Sequence, residues 1–268
     1  MTTGHAARAF LGIGEREVLR FLHQRERFVA ALLRPLLWLF VFATGFRSVL
    51  GVSITPPYDT YVTYDVYLVP GLAAMVMLFN GMQSSLSMVY DREMGGMRVL
   101  MTAPVPRWFL LISRLLAGVG VSLLQAYAFL LIAWLYGIQM PPLGYLAAAP
   151  ALVLGGLTLG ALGMALSSLF RQFENFAGVM NFVVFPMFFA SSALYPLWKI
   201  RESSDLLFEV CRFNPFTSIV ELVRFSLYLQ LNLLALGAVL LWLALLLGLA
   251  IWAYDPALGL RSRPGGTD

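Results

Sequence analysis

Charge is what this sequence has least of. Asp, Glu, Lys and Arg make up 12% of its 268 residues, against about 25% in soluble domains. Hydrophobic residues make up 60% and the mean hydropathy is +0.79. A water-soluble monomer of this size could not hide that much apolar surface, which excludes a soluble enzyme, a nucleic-acid reader and a disordered tail. The isoelectric point near 9.4 reflects a net charge of only +4, whose distribution matters more than its size. Cysteine occurs once, at Cys211, so neither a disulfide framework nor a cysteine metal site can be built. Histidine occurs only as His5 and His23, which removes a histidine metal site as well. Lysine occurs once, at Lys199, and no G-x-x-x-x-G-K-[ST] phosphate loop is present, so the chain cannot hold ATP in that manner.

What the sequence does have is long apolar runs. Hydrocarbon about 30 Å thick takes roughly 20 helical residues to cross. Candidate spans lie at Leu32–Leu50, Val66–Tyr90, Trp108–Tyr136, Gly144–Phe170, Phe176–Trp198 and Leu233–Tyr254. The first carries Arg34 near one end and Arg47 near the other, and both can snorkel. The third is interrupted only by Arg114, less than two turns from its start. The runs are continuous and do not alternate, which excludes a β-barrel. The expected fold is an all-α membrane protein with six transmembrane helices over residues 28–254, preceded by an interfacial helix over 1–27 and followed by a cytoplasmic tail over 255–268.

Arginine placement orients these spans. Arg8, Arg16, Arg20, Arg25 and Arg27 precede span one, Arg92, Arg98 and Arg107 follow span two, Arg171 follows span four, and Arg261 and Arg263 lie in the tail. All fall on one side of a six-span protein. The opposite loops 51–65 and 137–143 hold no lysine or arginine, and 199–232 mixes four basic with four acidic residues. The positive-inside rule therefore puts both termini in the cytoplasm. Residues 1–27 lack the apolar core of a cleavable signal peptide. Phe10, Ile13, Leu19, Phe21 and Leu22 instead form a weakly apolar face among arginines, suited to the inner leaflet, with a basic arm as the alternative.

Two segments exceed what simple hairpins need. After span two the chain reads DREMGGMRVLMTAPVPR. Gly95 and Gly96 permit a sharp turn, Met97, Val99, Leu100 and Met101 form a short greasy element, and Pro104 and Pro106 stop it. Such a segment suits a partner's groove or a loop that dips back into lipid. After Tyr195-Pro196 a polar stretch gives way to Asn214-Pro215-Phe216 and the apolar run 219–231, in which Glu221 and Arg224 stand three apart and can neutralise one another. One or two short helices sunk partway into the outer leaflet are expected there.

Polar residues within the spans have two readings. Asn80, Gln83, Ser84, Ser85 and Ser87 end span two, and Asn181 lies in span five. They either face an aqueous path or dimer interface, or bond neighbouring helices. Phe185, with Phe188, Phe189 and Tyr195, can line a path for an apolar cargo or simply pack. Gly156, Gly160, Gly163 and Ser167 form a small-residue stripe that allows close helix packing.

The motif DRE-x-G-x-MR-x-L-x-TAPVPRW after span two resembles the permeases of ABC-2 type ATP-binding-cassette exporters. So do Asn181-Phe182, Phe185-Pro186-Met187-Phe188-Phe189, Ser192, Leu194-Tyr195-Pro196, Asn214-Pro215 and Arg224, over about residues 15 to 255. The nearest branch is the nodulation, drug or polysaccharide exporters, from which Ala190-Ser191-Ser192 departs where relatives often carry a Ser-Gly pair. The resemblance implies a permease subunit in a bacterial plasma membrane, exporting an amphiphilic, lipid-linked or drug-like substrate. It would act as a dimer, with ATP and magnesium held by a separate cytoplasmic ATPase and no cofactor or metal on this chain. Arg92, Glu93, Gly95, Met97, Arg98, Leu100 and Met101 would form the coupling helix that docks the ATPase. Asn214, Pro215, Glu221 and Arg224 would belong to a re-entrant cap at the exit, and Asn80, Gln83, Ser84, Ser87, Asn181 and Phe185 are the candidate path residues.

Other functions fit less well. A secondary transporter needs a charged coupling residue at mid-membrane, whereas Asp65, Asp91 and Glu174 fall at span ends. A membrane hydrolase needs a base and nucleophile in one site, and no span contains histidine. A passive scaffold is the remaining alternative, separated by whether cargo stimulates ATP turnover. The orientation itself is testable. Cysteine placed at Ser203 is expected to react with an impermeant reagent from outside and one at Thr102 is not, and the reverse pattern refutes the topology.

Overall fold

The computed structural model describes residues 12, 25–46, 51–52, 56–94, 106–170 and 172–253. Helix α1 is Arg25–Phe46. A two-residue antiparallel ladder follows, β1 Gly51–Val52 against β2 Val62–Thr63. Then come α2 Tyr64–Glu93, α3 Arg107–Leu135, α4 Pro142–Leu169 and α5 Phe173–Phe189. Three short helices follow, α6 Leu197–Ser203, α7 Asp205–Phe213 and α8 Pro215–Leu227, before α9 Leu233–Ala253. Of the expected interfacial segment, residues 25–27 run into α1. The rest, apart from Gly12, lies outside the described residues, as does the tail over 255–268.

Among the described residues, four helical stretches are long and apolar enough to cross a membrane: Tyr64–Asp91, Trp108–Leu135, Pro142–Leu169 and Leu233–Ala253. The first three have 28 residues each, which at 1.5 Å per residue reach about 42 Å, beyond a hydrocarbon layer of about 30 Å. The other two expected spans are shorter apolar helices, Ala31–Phe42 within α1 and Phe173–Phe189. Helix α2 is the interior element, with 89% of its most apolar window buried against 22% for α9. Its run of Leu72, Ala73, Ala74, Met75, Val76, Met77 and Leu78 is buried on every side, which an amphipathic surface helix could not be.

Close packing of α2 on α4 follows from missing side chains. A Cβ on Gly81 would lie 3.0 Å from the backbone nitrogen of Gly160, and one on Gly163 would lie 2.9 Å from the Gly81 carbonyl oxygen. The two backbones thus meet where apolar attraction between helices is absent and van der Waals contact has to hold them. The stripe read from the sequence is a packing surface.

The chain after Pro186 differs from the expected span. A run over Phe176–Trp198 reads as one helix, yet α5 ends at Phe189 and residues 190–195 turn. Pro186 removes one N–H from the helix ladder. Ser191 Oγ then donates to the Phe188 carbonyl at 2.6 Å and accepts from Ala193 N at 3.2 Å. Asn214 completes the stop. Its Nδ2 donates to the carbonyls of Met187 and Ala190, both at 2.7 Å, and its Oδ1 accepts from Phe216 N at 2.9 Å. One side chain therefore closes the C-terminus of α5 and caps the N-terminus of α8, groups that would otherwise lack partners.

Where α4 starts, a Cβ on Gly144 would run into the Leu227 carbonyl oxygen at the end of α8. Gly144→Ala is expected to cost about 1–3 kcal/mol, because backbone must move to relieve the clash. Gly237→Ala on α9, with open space around it, should be neutral or stabilising. Thermal unfolding midpoints in detergent compare the two, and equal midpoints contradict the packing described.

Candidate functional site

Polar and charged groups gather at three depths along α2. At one end, Arg224 of α8 is 3% exposed. It forms a close ion pair with Glu221, donates from Nη2 to the Ser192 carbonyl at 2.8 Å, and lies 4.0 Å over the Tyr67 ring. Tyr67 Oη donates to the same Ser192 carbonyl at 2.8 Å, and Tyr64 Oη donates to the Leu194 carbonyl at 2.9 Å. The turn after α5 is thereby held by α2 and α8 together. Burial lowers the Arg224 pKa, but the Glu221 carboxylate, with Tyr67 and Tyr58 beside it, outweighs burial and holds the guanidinium charged. Burial pushes the nearby Tyr58 phenol up to about 12, with the Arg224 charge pulling the other way. The Glu221–Arg224 pair expected from its spacing is present, and Asn214 and Pro215 stand at the start of the same helix.

At middle depth α1, α2 and α5 converge. Phe79 of α2 meets Phe185 of α5, ring centroids 6.3 Å apart. Trp38 of α1 meets Phe188 and Phe189 of α5 at 5.8 and 5.5 Å. Asn80 donates to Gln125 of α3. Ser87 Oγ donates to the Ser84 carbonyl of its own helix at 2.6 Å, and Ser84 packs against Gly118 beside a void of about 10 Å³, room for one water. Gln83 is half-buried. Phe185 and Asn181 are both exposed, four residues apart on α5. The structure thus brings Phe185 next to the Phe79-Asn80 pair, while Gln83, Ser84 and Ser87 lie further along α2.

Arg34 belongs to this junction and the sequence reading missed it. Placed near a span end, it was expected to snorkel; instead its guanidinium carbon lies 3.8 Å from the Phe79 centroid. Arginine at the centre of a membrane helix costs about 2.5–3.5 kcal/mol on insertion scales, and a cation–π contact returns about 0.5–2 kcal/mol. The ring alone does not offset the cost. The signal available was a charge beside Pro35, well inside an apolar helix.

At the other end, Asp91 and Arg114 form a buried ion pair, each 6% exposed, joining α2 to α3. Glu93 Oε2 accepts from Phe173 N at 3.0 Å, joining α2 to the first turn of α5. Glu93 is the one expected coupling residue whose side chain is described. The Arg92 side chain and Gly95, Met97, Arg98, Leu100 and Met101 lie outside the described residues. The Asp91–Arg114 pair was legible as opposite charges at facing span ends but was not paired in the sequence reading. Among the described residues no group of His, Cys, Asp and Glu could hold a metal ion.

Long apolar helices with polar groups held between them suit a membrane transport permease. Residues 8–228 match the model of the ABC-2 type transporter, and the chain belongs to that family. It is 28% identical over 201 residues to ycf38 of Cyanophora paradoxa, named a transport permease, covering 74% of this chain and 66% of that protein. It is 25% identical over 217 residues to ycf38 of Porphyra purpurea, covering 79% and 71%. It is 33% identical over 131 residues to YbhR of Escherichia coli K12, named a multidrug ABC transporter permease, covering 47% and 35%.

The Arg224 cluster has a measurable consequence. Glu221→Gln leaves Arg224 buried without its counter-ion, and about 3–5 kcal/mol of stability is expected to be lost. The double variant Glu221→Leu/Arg224→Met should regain most of it. Unfolding midpoints in detergent read both, and a wild-type midpoint for Glu221→Gln removes the pair from any structural role.

Proposed function

We propose that the chain is the transmembrane subunit of an ATP-driven exporter. It moves an amphiphilic, lipid-linked or drug-like cargo out of the cytoplasm or inner leaflet of a bacterial plasma membrane, with both termini cytoplasmic. The observation that carries this reading is the junction of α1, α2 and α5, where polar and aromatic side chains are open at membrane depth. Six spans follow if α1 and α5 also cross. The 22 residues of α1 reach about 33 Å, and the 17 of α5 reach about 26 Å, extended by the turn anchored at Asn214.

A second copy of the chain fits the exposed stripe of α5. Glu174, Gly178, Asn181, Phe182, Phe185 and Phe189 are exposed at helical spacing, and an asparagine amide facing hydrocarbon is costly. A homodimer covering this stripe would enclose the path between copies. The helices α6 to α8 would cap its outer end. On α7, Leu206, Leu207, Val210 and Phe213 are exposed, as a helix resting in the outer leaflet requires.

Energy would come from a cytoplasmic ATPase that holds ATP and magnesium, docked on Arg92–Met101. The support is the anchoring of that segment's root: Asp91 on Arg114 and Glu93 on Phe173 tie it to α3 and α5, so a push there reaches the junction. Met97 and Leu100 would supply the buried contact, and Arg92, Glu93 and Arg98 its charged rim. Truncating a buried anchor commonly costs about 2 kcal/mol or more. Replacing both Met97 and Leu100 by aspartate is expected to abolish co-purification with the ATPase and cargo-stimulated ATP hydrolysis, since carboxylates cannot be desolvated in an apolar groove. If a normally inserted variant keeps both at wild-type level, the segment is a lipid-dipping loop and does not couple.

A further inference from the structure

We propose that Arg34 binds an anionic head group of the cargo at the junction of α1, α2 and α5, so that the substrate is an amphiphile bearing a phosphate or carboxylate. The inference rests on the transport reading above and narrows its substrate class.

Depth comes first. In the spanning stretch Tyr64–Asp91, Phe79 follows Tyr64 by 15 residues (79 − 64) and precedes Asp91 by 12 (91 − 79). At 1.5 Å per residue its ring lies about 22 Å from one end and about 18 Å from the other. The guanidinium 3.8 Å from that ring shares its depth and has not reached either interface.

The second point is the missing counter-charge. Among the described residues Arg34 has no ion pair and no hydrogen bond; the aromatic face is its one polar contact. A second copy cannot supply an anion at this depth. Carboxylates on the long helices are Glu26, Asp65, Asp91, Glu93 and Glu174, all at helix ends. Asp91 is engaged by Arg114 and Glu93 by Phe173 N. An amphiphile lying in the undisturbed bilayer keeps its head group about 15 Å from the midplane of a 30 Å hydrocarbon layer, so it meets Arg34 only by leaving the interface and entering the junction. The anion has to arrive with something that enters the membrane interior.

The third point is fit. Arg34 is exposed, as are Phe185 and Asn181 on α5. Stacking on Phe79 leaves the edges of the guanidinium, with five N–H donors, free for bidentate contact to phosphate or carboxylate. The neighbouring rings of Phe185, Phe189 and Trp38 offer an apolar surface to a tail. A cation beside aromatics suits an amphiphile better than a small ion.

The test uses the full chain in phosphatidylcholine nanodiscs and two photoreactive probes. Both share one diazirine-bearing dodecyl tail; one carries a phosphate head, the other maltose. The phosphate probe is expected to label peptides containing Phe79 and Phe185 in preference to the maltoside. Arg34→Gln should lower that labelling by about tenfold, toward the maltoside level, for loss of a charge-assisted contact. Arg34→Lys keeps the charge but loses the stack and the planar fork, so its labelling should fall between those of the wild type and Arg34→Gln, and Arg201→Gln, on α6, should leave it unchanged. Equal labelling by both heads in the wild type, or undiminished phosphate labelling in Arg34→Gln, overturns the proposal. If Arg34→Gln does not insert, the wild-type head-group comparison decides alone. The transport reading fails separately: head-group preference lost with Arg34→Gln, but no cargo movement with the ATPase, leaves the site standing without the function. Neutral cargo moved equally by wild type and Arg34→Gln leaves the function standing without the site.

Discussion

Hydrocarbon offers no partner to a polar group, so those in this chain are answered by one another wherever packing allows, and most of the answers run through α2. From one end of that helix to the other, Tyr64 and Tyr67 bind the carbonyls of the turn after α5, Phe79 carries Arg34 on its face, and Asn80 holds Gln125. Ser84 rests on Gly118, Asp91 holds Arg114, and Glu93 receives the first N–H of α5. A helix can serve so many neighbours only if it is surrounded, and it can be surrounded only if those neighbours approach closely. The glycines that let α4 lie against it are therefore as much part of the polar architecture as the residues that form the bonds.

Three arginines show how differently one charge can be accommodated. Arg224 is buried and has an ion pair, a carbonyl and a ring. Arg114 is buried and has an ion pair. Among the described residues Arg34 has a ring alone and is exposed. Removing one member of a buried pair costs several kcal/mol because the other charge is stranded, so the first two are structural. The third is accommodated by stacking and exposure, an arrangement that leaves its donors available to a ligand.

The ties at the two ends of α2 also bear on how a push would travel. The Asp91 and Glu93 contacts join the root of the segment after α2 to α3 and α5, while the Arg224 cluster and Asn214 join the far end of α5 to α8 and α2. Elements fixed at both ends and packed without gaps tend to move as units rather than bend locally. In the proposed exporter this would let displacement at the cytoplasmic face alter the junction near Phe79 and the cap together.

Composition and hydropathy were enough to show that this is a helical membrane protein. Four spans, the Glu221–Arg224 pair and the short helices around Asn214 were legible too, because solvent choice and i, i+3 spacing are properties of the chain read in order. The end of α5 at Phe189 was not, since its stop is made by Asn214, 25 residues further on. Nor were the Asn80–Gln125 pair, 45 residues apart, the Tyr67–Ser192 bond, 125 apart, or the position of Arg34 over Phe79. Those depend on which helix faces which and at what height, and a uniformly apolar run carries almost no periodic mark of its facing side. Tertiary packing alone decided them, because in a solvent that rejects polar groups the choice of partner is made by distance in space and not by separation along the chain.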